Sequence, residues 1–448
     1  ELPVVNHEDY FAKIGDDHKF PINKFGELAN YLIQNKIVKK FHKPSPCSFE
    51  TLSYAHAKNY ISAKGKMVLP GLINMHCHAG DSLFRGLVEN LPLEAWLNRV
   101  WIAEKAILTP HTTYLGSVLG FAENLLSGVT SVMDMFWYPN EAVRAAQMLG
   151  MRVSTGGLFF DFPGIGERSH EKYIEEAREF SSRYSGSTDV FPCVMPHGAY
   201  TVSHEHLKDA KSIANADGGL FCTHAAETRA EQADIQNRYG RTVIRHLDAY
   251  DLLGERTVLA HCVHVDDGEI DLMAKSGTTV VHNPMSNLKL ASGIAPTAQM
   301  QKAGVHLTLG TDGAISGNDL DMWLAMRLAS SLAKGVAMEP AALPAKDVLH
   351  MATLNGARAL GQEKHLGSLE VGKQADFIFV DVNTAHAVPL FDPITHCVFG
   401  AGRSDVSDVF VAGEQVVKDR RLTRHDLSET LIEVQDLMPA IKSSLEDA

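Results

Sequence analysis

The chain has 448 residues, 45% of them hydrophobic, and a net charge of −13, enough for one large domain with a packed core and a smaller companion. No extended basic block interrupts the acidic balance, which argues against nucleic acid or an anionic membrane as partner, and no apolar run approaches the roughly 18 residues that span a bilayer. Six cysteines in this length make no disulfide framework. Cys77, Cys193, Cys222 and Cys262 fall in strand-like apolar runs, as reduced thiols of a cytoplasmic protein do, and no Cys-x-x-Cys offers a structural zinc knuckle.

Taken in order, residues 30–38 read as a hairpin around Gln34-Asn35, and residues 60–68 as a strand pair turning at Lys64-Gly65, with a Pro/Ser-rich loop over 41–50 between them. From residue 70 apolar, β-branched runs recur: Leu72–His76, Val129–Met133, Arg152–Leu158, Val190–Met195, Gly219–His224, Thr257–His261, Thr278–His282 and Val305–Leu309. Segments with helical periodicity lie between them: His111–Leu126, His170–Arg183, Ser203–Asn215, Arg229–Tyr250 and Asp319–Ala333. Eightfold strand–helix alternation predicts an α/β fold, a closed (β/α)8 TIM-type barrel rather than a doubly wound sheet. The connection from His78 to Val129 is about fifty residues, long enough to fold over the barrel mouth.

Val348–Leu360 reads as a helix ending at Gly361, after which Gly367–Val380 and Val406–Val417 read as strands with glycine turns and no helix between them. Their character matches residues 30–68, so the chain ends are expected to pair into a small β-sandwich domain. Residues 1–69 form its N-terminal part, 70–365 the barrel, and 366–448 its C-terminal part with a closing amphipathic helix over Leu427–Leu445.

Barrel enzymes carry their chemistry at the C-terminal ends of the strands. The first strand here ends in His76-Cys77-His78, and alternation puts both imidazoles on one face. With 22 histidines, about one His-x-His arises by chance. A second, His204-Glu205-His206, follows Ser203 at a helix start and is expected to be solvent-exposed. A lone strand histidine is more often a hydrogen-bonded core residue, but here His197, His224, His261, His282 and Asp312 close strands four to eight. Their convergence on one face outweighs that reading.

His76, His78, His224 and Asp312 make a shell of nitrogen and carboxylate oxygen without thiolate. It suits zinc, with iron(II) or manganese as alternatives, and a divalent metal in such a site lowers the pKa of a bound water to about 7. Glu227, three residues past His224, is spaced to hang a carboxylate over that water, although an acid at a helix N-terminus would also look like this. His261 is placed to polarise the group under attack.

The constellation resembles the amidohydrolase superfamily over nearly the whole chain. It is closest to the aminohydrolases acting on methylthioadenosine and S-adenosylhomocysteine and to related chlorohydrolases. The likeness rests on Pro70–His78, Phe84-Arg-Gly-Leu87, Met195–Thr201, His224–Thr228, Ala260–His264, His282–Asn287 and Gly310–Gly313. It implies one metal held by His76, His78, His224 and Asp312, with Glu227, His261 and Asp312 catalytic. Members with two metals carry a lysine at the end of the fourth strand, and Phe191–His197 has none.

The resemblance also implies substrate contacts at Trp96, Glu104, Arg168, His197 and His282, with Glu104 aligning only across a one-residue deletion. A further arginine of the deaminases has no counterpart, since Gly156-Gly157 stands in its place and is expected to leave open space, which disfavours a substrate with a free carboxylate. The expected activity is hydrolytic deamination of an aminated N-heterocycle: an adenosine-type nucleoside, an aminopurine or a pterin, with ammonia leaving. A triazine-type dehalogenase on the same site and a catalytically silent binding barrel are the competing readings. The expected partner is a small-molecule substrate, in a homo-oligomer, dimer or tetramer.

Overall fold

A computed structural model describes residues 62–446, and a compact unit begins at Gly65. The hairpin expected at 30–38, the loop at 41–50 and the first residues of the 60–68 pair lie outside the described residues. Gly65 does make the expected turn, at φ +74°, and leads into β1, Lys66–Pro70.

The barrel strands follow the apolar runs closely. They are β2 (Leu72–Cys77), β3 (Val129–Asp134), β4 (Arg152–Thr155), the two-residue β5 (Leu158–Phe159), β6 (Val190–Pro196), β7 (Leu220–Ala225), β8 (Thr257–His261), β9 (Thr279–His282) and β10 (His306–Leu309). Helices cover their outer side, so residues on both faces of most strands are buried and the runs are continuous rather than alternating. The parallel order runs β10-β9-β8-β7-β6-β4-β3-β2, with β5 paired to β6. The circle is drawn shut where the backbone N–H groups of Thr311 and Asp312 donate to the His76 carbonyl at 3.2 and 3.0 Å. That closure brings the first and last strand ends, and their ionisable side chains, together.

The run Arg152–Leu158 splits into β4 and β5 at Gly156-Gly157, and the reason is crowding. A Cβ on Gly156 would stand 2.2 Å from the Cys193 carbonyl oxygen, and one on Gly157 2.4 Å from the Ala177 methyl. The open space expected there does not exist; the chains approach so closely that only glycine fits.

Helix starts carry oxygen caps: Thr109 before Pro110–Leu126, Ser169 before His170–Arg183, Thr228 before Arg229–Tyr239 and Asp266 before Asp267–Ser276. The helix expected over Arg229–Tyr250 breaks into Arg229–Tyr239 and Val243–Ala249 because Gly240 closes the first at φ +69°. The one expected over Val348–Leu360 is Ala345–Met351 and Leu354–Ala359. Between them Thr353 turns its hydroxyl back to the Leu349 carbonyl at 2.7 Å. His204 and His206 do begin a helix, but they are half-buried rather than exposed: His204 stacks on Tyr250, and His206 binds Asp161 at 2.6 Å.

The second sheet is antiparallel, in the order β1-β11-β12-β13-β14, with β11 at Phe377–Asp381, β12 at Val406–Val411, β13 at Glu414–Lys418 and β14 at Arg421–Leu422. Residues from both ends of the chain thus pair, β1 lying along β11. Two expectations fail in this region. The strand begins at Phe377 rather than Gly367, and a helix, Pro393–Phe399, stands between β11 and β12. Among the described residues the second sheet is one five-stranded sheet whose inner face packs on the barrel. Ile378 and Val406 close over Gly128, and Arg152 of β4 reaches Asp376 at 2.8 and 3.1 Å. The closing helix spans Ser428–Ser443, and its Glu433 meets His111 at 3.0 Å.

Candidate active site

The connection after β2 builds the roof. A 3-10 turn, Ala79–Phe84, is held where the Asp134 carboxylate accepts the Ala79 N–H at 2.6 Å, and a helix, Leu93–Ile107, follows. Trp96, Val100 and Glu104 recur every four residues on that helix, so they share one face, and all three line the cavity at the barrel mouth. Glu104 is 5% exposed and accepts from the Trp137 indole N–H at 3.0 Å. Burial pushes its carboxyl up to about 7, against that hydrogen bond and the charge of His78.

On the floor His78 Nε2 lies 3.1 Å, and His76 Nε2 3.4 Å, from the same Asp312 oxygen, while His224 Nε2 lies 3.2 Å from His76 Nε2. On His224 and His78 the other ring nitrogen is already bonded. His224 Nδ1 donates to the His197 carbonyl at 2.7 Å, and His78 Nδ1 donates to the Met135 carbonyl. That fixes both tautomers with the Nε2 lone pairs turned inward. Lone pairs of buried imidazoles converging on a carboxylate oxygen repel unless a cation lies among them, and this is the arrangement a divalent metal fits.

The titration behaviour carries the same demand. Burial drives His76 down to about 4 and His224 well below its ordinary value. His78, although burial opposes it, is raised to about 10 by its hydrogen bond to Asp312 and that residue's charge. Asp312 stays well below the carboxylate range despite burial, held there by His76 and His78.

His261 brings its donor atom within 4.8 Å of those of His76 and His224, so it borders the same centre. Its Nδ1 pairs with Asn287 Oδ1 at 2.8 Å, which leaves Nε2 3.8 Å from Glu227 Oε2. Glu227 is 4% exposed, and burial raises its carboxyl. Three of the residues that aim these groups, Ala226, His261 and Asp312, hold left-handed φ angles of +53°, +77° and +63°, strain of the kind that gathers at functional sites.

The remaining residues singled out in the sequence divide. His197 lines the cavity, its ring stacked 4.9 Å from Phe160 and its pKa driven by burial to about 3. His282 is 1% exposed and sits behind the wall rather than in it. Arg168 is outside: it pairs with Glu176 at 2.8 Å and lines a neighbouring cleft beyond Trp137 and Leu158. No lysine or arginine is among the described residues lining the central cavity. Sequence reasoning missed the aromatic wall, Trp101, Trp137, Phe160 and Tyr200, and the acid Asp81. Trp137 and Phe160 do follow strand ends, but attention to ionisable groups alone passes over them.

Comparison with known proteins gives the family. The model of the amidohydrolase family matches residues 67–416. A protein of Syntrophobacter fumaroxidans described as a 5-methylthioadenosine/S-adenosylhomocysteine deaminase is 39% identical, over 86% of this chain and 88% of its own. A 5'-deoxyadenosine deaminase of Methanothermobacter thermautotrophicus is also 39% identical, over 83% and 87%. The crystal structure of an adenosine deaminase from Xanthomonas campestris with bound zinc superposes with a TM-score of 0.83 at 35% identity, covering 85% of this chain and 87% of that one. The chain belongs to the amidohydrolase family.

Proposed function

We propose that this protein is a metal-dependent aminohydrolase that replaces the exocyclic amino group of an adenosine-type nucleoside with oxygen and releases ammonia. The observation that carries the reading is the juxtaposition of four converging donors, His76, His78, His224 and Asp312, with buried Glu227 in an aromatic-walled cavity. His76, His78, His224 and Asp312 would hold one divalent metal, most readily zinc, which when bound acidifies water and acts as a Lewis acid.

The chain's own residues do the rest. Glu227 takes a proton from the attacking water as its oxygen bonds to the amidine carbon, and passes that proton to the ring nitrogen. His261 Nε2 faces the new oxygen and steadies its charge, while the Asp312 carboxylate takes the second water proton from that oxygen and hands it to the amino group, so that the carbon–nitrogen bond breaks and ammonia leaves. Trp96, Trp101 and Phe160 offer flat faces to the heterocycle, and Glu104 presents a buried carboxyl to hydroxyl groups of the ligand. The test is a panel of aminopurines, adenosine-type nucleosides, pterins and chlorotriazines, scored for ammonia and for chloride. Ammonia from a nucleoside supports the reading; chloride from a triazine without ammonia from any nucleoside moves the site to a dehalogenase.

Four donors and no lysine at the end of β6 also support a stoichiometry of one metal. Elemental analysis of purified protein is expected to give close to one equivalent of zinc, iron or manganese per chain, and two tightly held equivalents would contradict it.

Selectivity should follow charge. Carboxylates are held by arginine forks, yet Arg168 lies outside the cavity, bound to Glu176, and among the described residues the cavity wall holds no lysine or arginine. Lacking that partner costs a tailed substrate on the order of 2 kcal/mol. kcat/KM for methylthioadenosine or 5'-deoxyadenosine is therefore expected to exceed that for S-adenosylhomocysteine. An advantage for the tailed nucleoside would show that a charge arrives from elsewhere.

A further inference from the structure

Glu227 is held from behind by residues the proposed chemistry does not use. Its backbone N–H donates to Glu231 Oε2 at 2.7 Å. Glu231 sits in the first turn of Arg229–Tyr239, where its own N–H is capped by Thr228 Oγ1 at 3.0 Å. Glu231 is 4% exposed, and its second oxygen has no partner. On the side-chain end, Ser292 Oγ donates to Glu227 Oε1 at 3.0 Å. Ser292 lies in the connection after β9, between two residues with left-handed backbone, Ala291 at φ +57° and Gly293 at +130°. Its carbonyl accepts from His264 Nε2 at 2.8 Å, and the His264 carbonyl accepts from the side chain of Gln232. The connections after β7, β8 and β9 therefore interlock around one carboxylate.

The consequence is an asymmetry between its oxygens. Oε1 is taken by Ser292, and Oε2 is the one that faces His261. We propose that Ser292 and Glu231 are positioning residues for proton transfer. Glu231 fixes the backbone of the strained turn at Ala226–Glu227, and Ser292 locks the carboxylate rotation so that Oε2 alone exchanges protons with water and substrate. This rests on the reading of Glu227 as the proton carrier. A base works only within about 2.6–3.2 Å of its proton, and a misplacement of about 1 Å costs on the order of 10²-fold in rate. A glutamate free to rotate would spend most of its time outside that window.

A double-mutant cycle separates positioning from mere structure. Ser292→Ala is expected to lower kcat by roughly 10–100-fold with KM and bound metal unchanged. In a Glu227→Gln background the same change should cost almost nothing more, since a residue that acts through Glu227 has nothing left to act on. Glu231→Gln, which keeps an oxygen to accept the Glu227 N–H, should stay within a few-fold of the parent, whereas Glu231→Leu should fall with Ser292→Ala. Equal losses from Ser292→Ala in both backgrounds, or an unchanged kcat in the parent, would overturn the proposal. If Glu227→Gln alone keeps parent activity, the proton-carrier reading fails first, and that result is visible before Ser292 is touched.

Discussion

Glu227→Gln is expected to lower turnover by about 10²–10⁴, the usual worth of general acid–base catalysis, while the protein keeps its fold and its metal. The amide is the same size as the carboxyl and still accepts from Ser292 Oγ. It cannot take a proton from water at neutral pH, so only the transfer is lost. Glu227 contacts the centre through His261 at 3.8 Å rather than through the Asp312 oxygen shared by His76 and His78. Steady-state kinetics with metal analysis on the same preparation checks this. Activity retained with metal bound would return Glu227 to the role of a helix-end acid, and metal loss would make it a ligand.

Asp312→Ala is expected to act by a different route and to remove both metal and activity. Asp312 Oδ1 is the oxygen on which His76 and His78 converge, and its other oxygen accepts from Ser286 Oγ at 2.5 Å. Without it three imidazoles face one another, His78 loses the charge that raises its pKa, and metal affinity collapses. Losing the several kcal/mol of charge stabilisation a metal supplies lowers turnover by roughly 10³ or more. Bound metal measured beside turnover distinguishes the two variants: Glu227→Gln should be metal-replete and slow, Asp312→Ala metal-poor and slow. An Asp312→Ala protein that keeps a full equivalent would show that His261, which borders the same centre, is a ligand.

The barrel was legible because its strands are apolar on both faces, so the runs from Leu72 to Leu309 stand out without any alternation to decode. The donors were legible for a related reason: a strand end fixes where a side chain points, and His76, His78, His224, His261 and Asp312 each close a strand. What was not legible lies where tertiary contact decides. The roof helix Leu93–Ile107 sits in the long connection from His78 to Val129, which was expected to fold over the mouth but was assigned no helix there, and Gly156-Gly157 looked like space for a cation because a sequence cannot show that Cys193 and Ala177 press on it. Arg168 aligned with a substrate contact, but Glu176, two turns along the next helix, captures it. Ser292 and Glu231 gave no signal at all, since their importance lies in which oxygen of Glu227 they hold.

Hydrolytic deamination of an adenosine-type nucleoside can be read by incubating the metal-loaded protein with methylthioadenosine in ¹⁸O-labelled water and analysing the products by mass spectrometry together with ammonia. The expected result is one labelled oxygen on the purine in place of the amino group, one ammonia per product molecule and an intact glycosidic bond. An unchanged nucleoside, or label on the sugar from cleavage of the glycosidic bond, would contradict it.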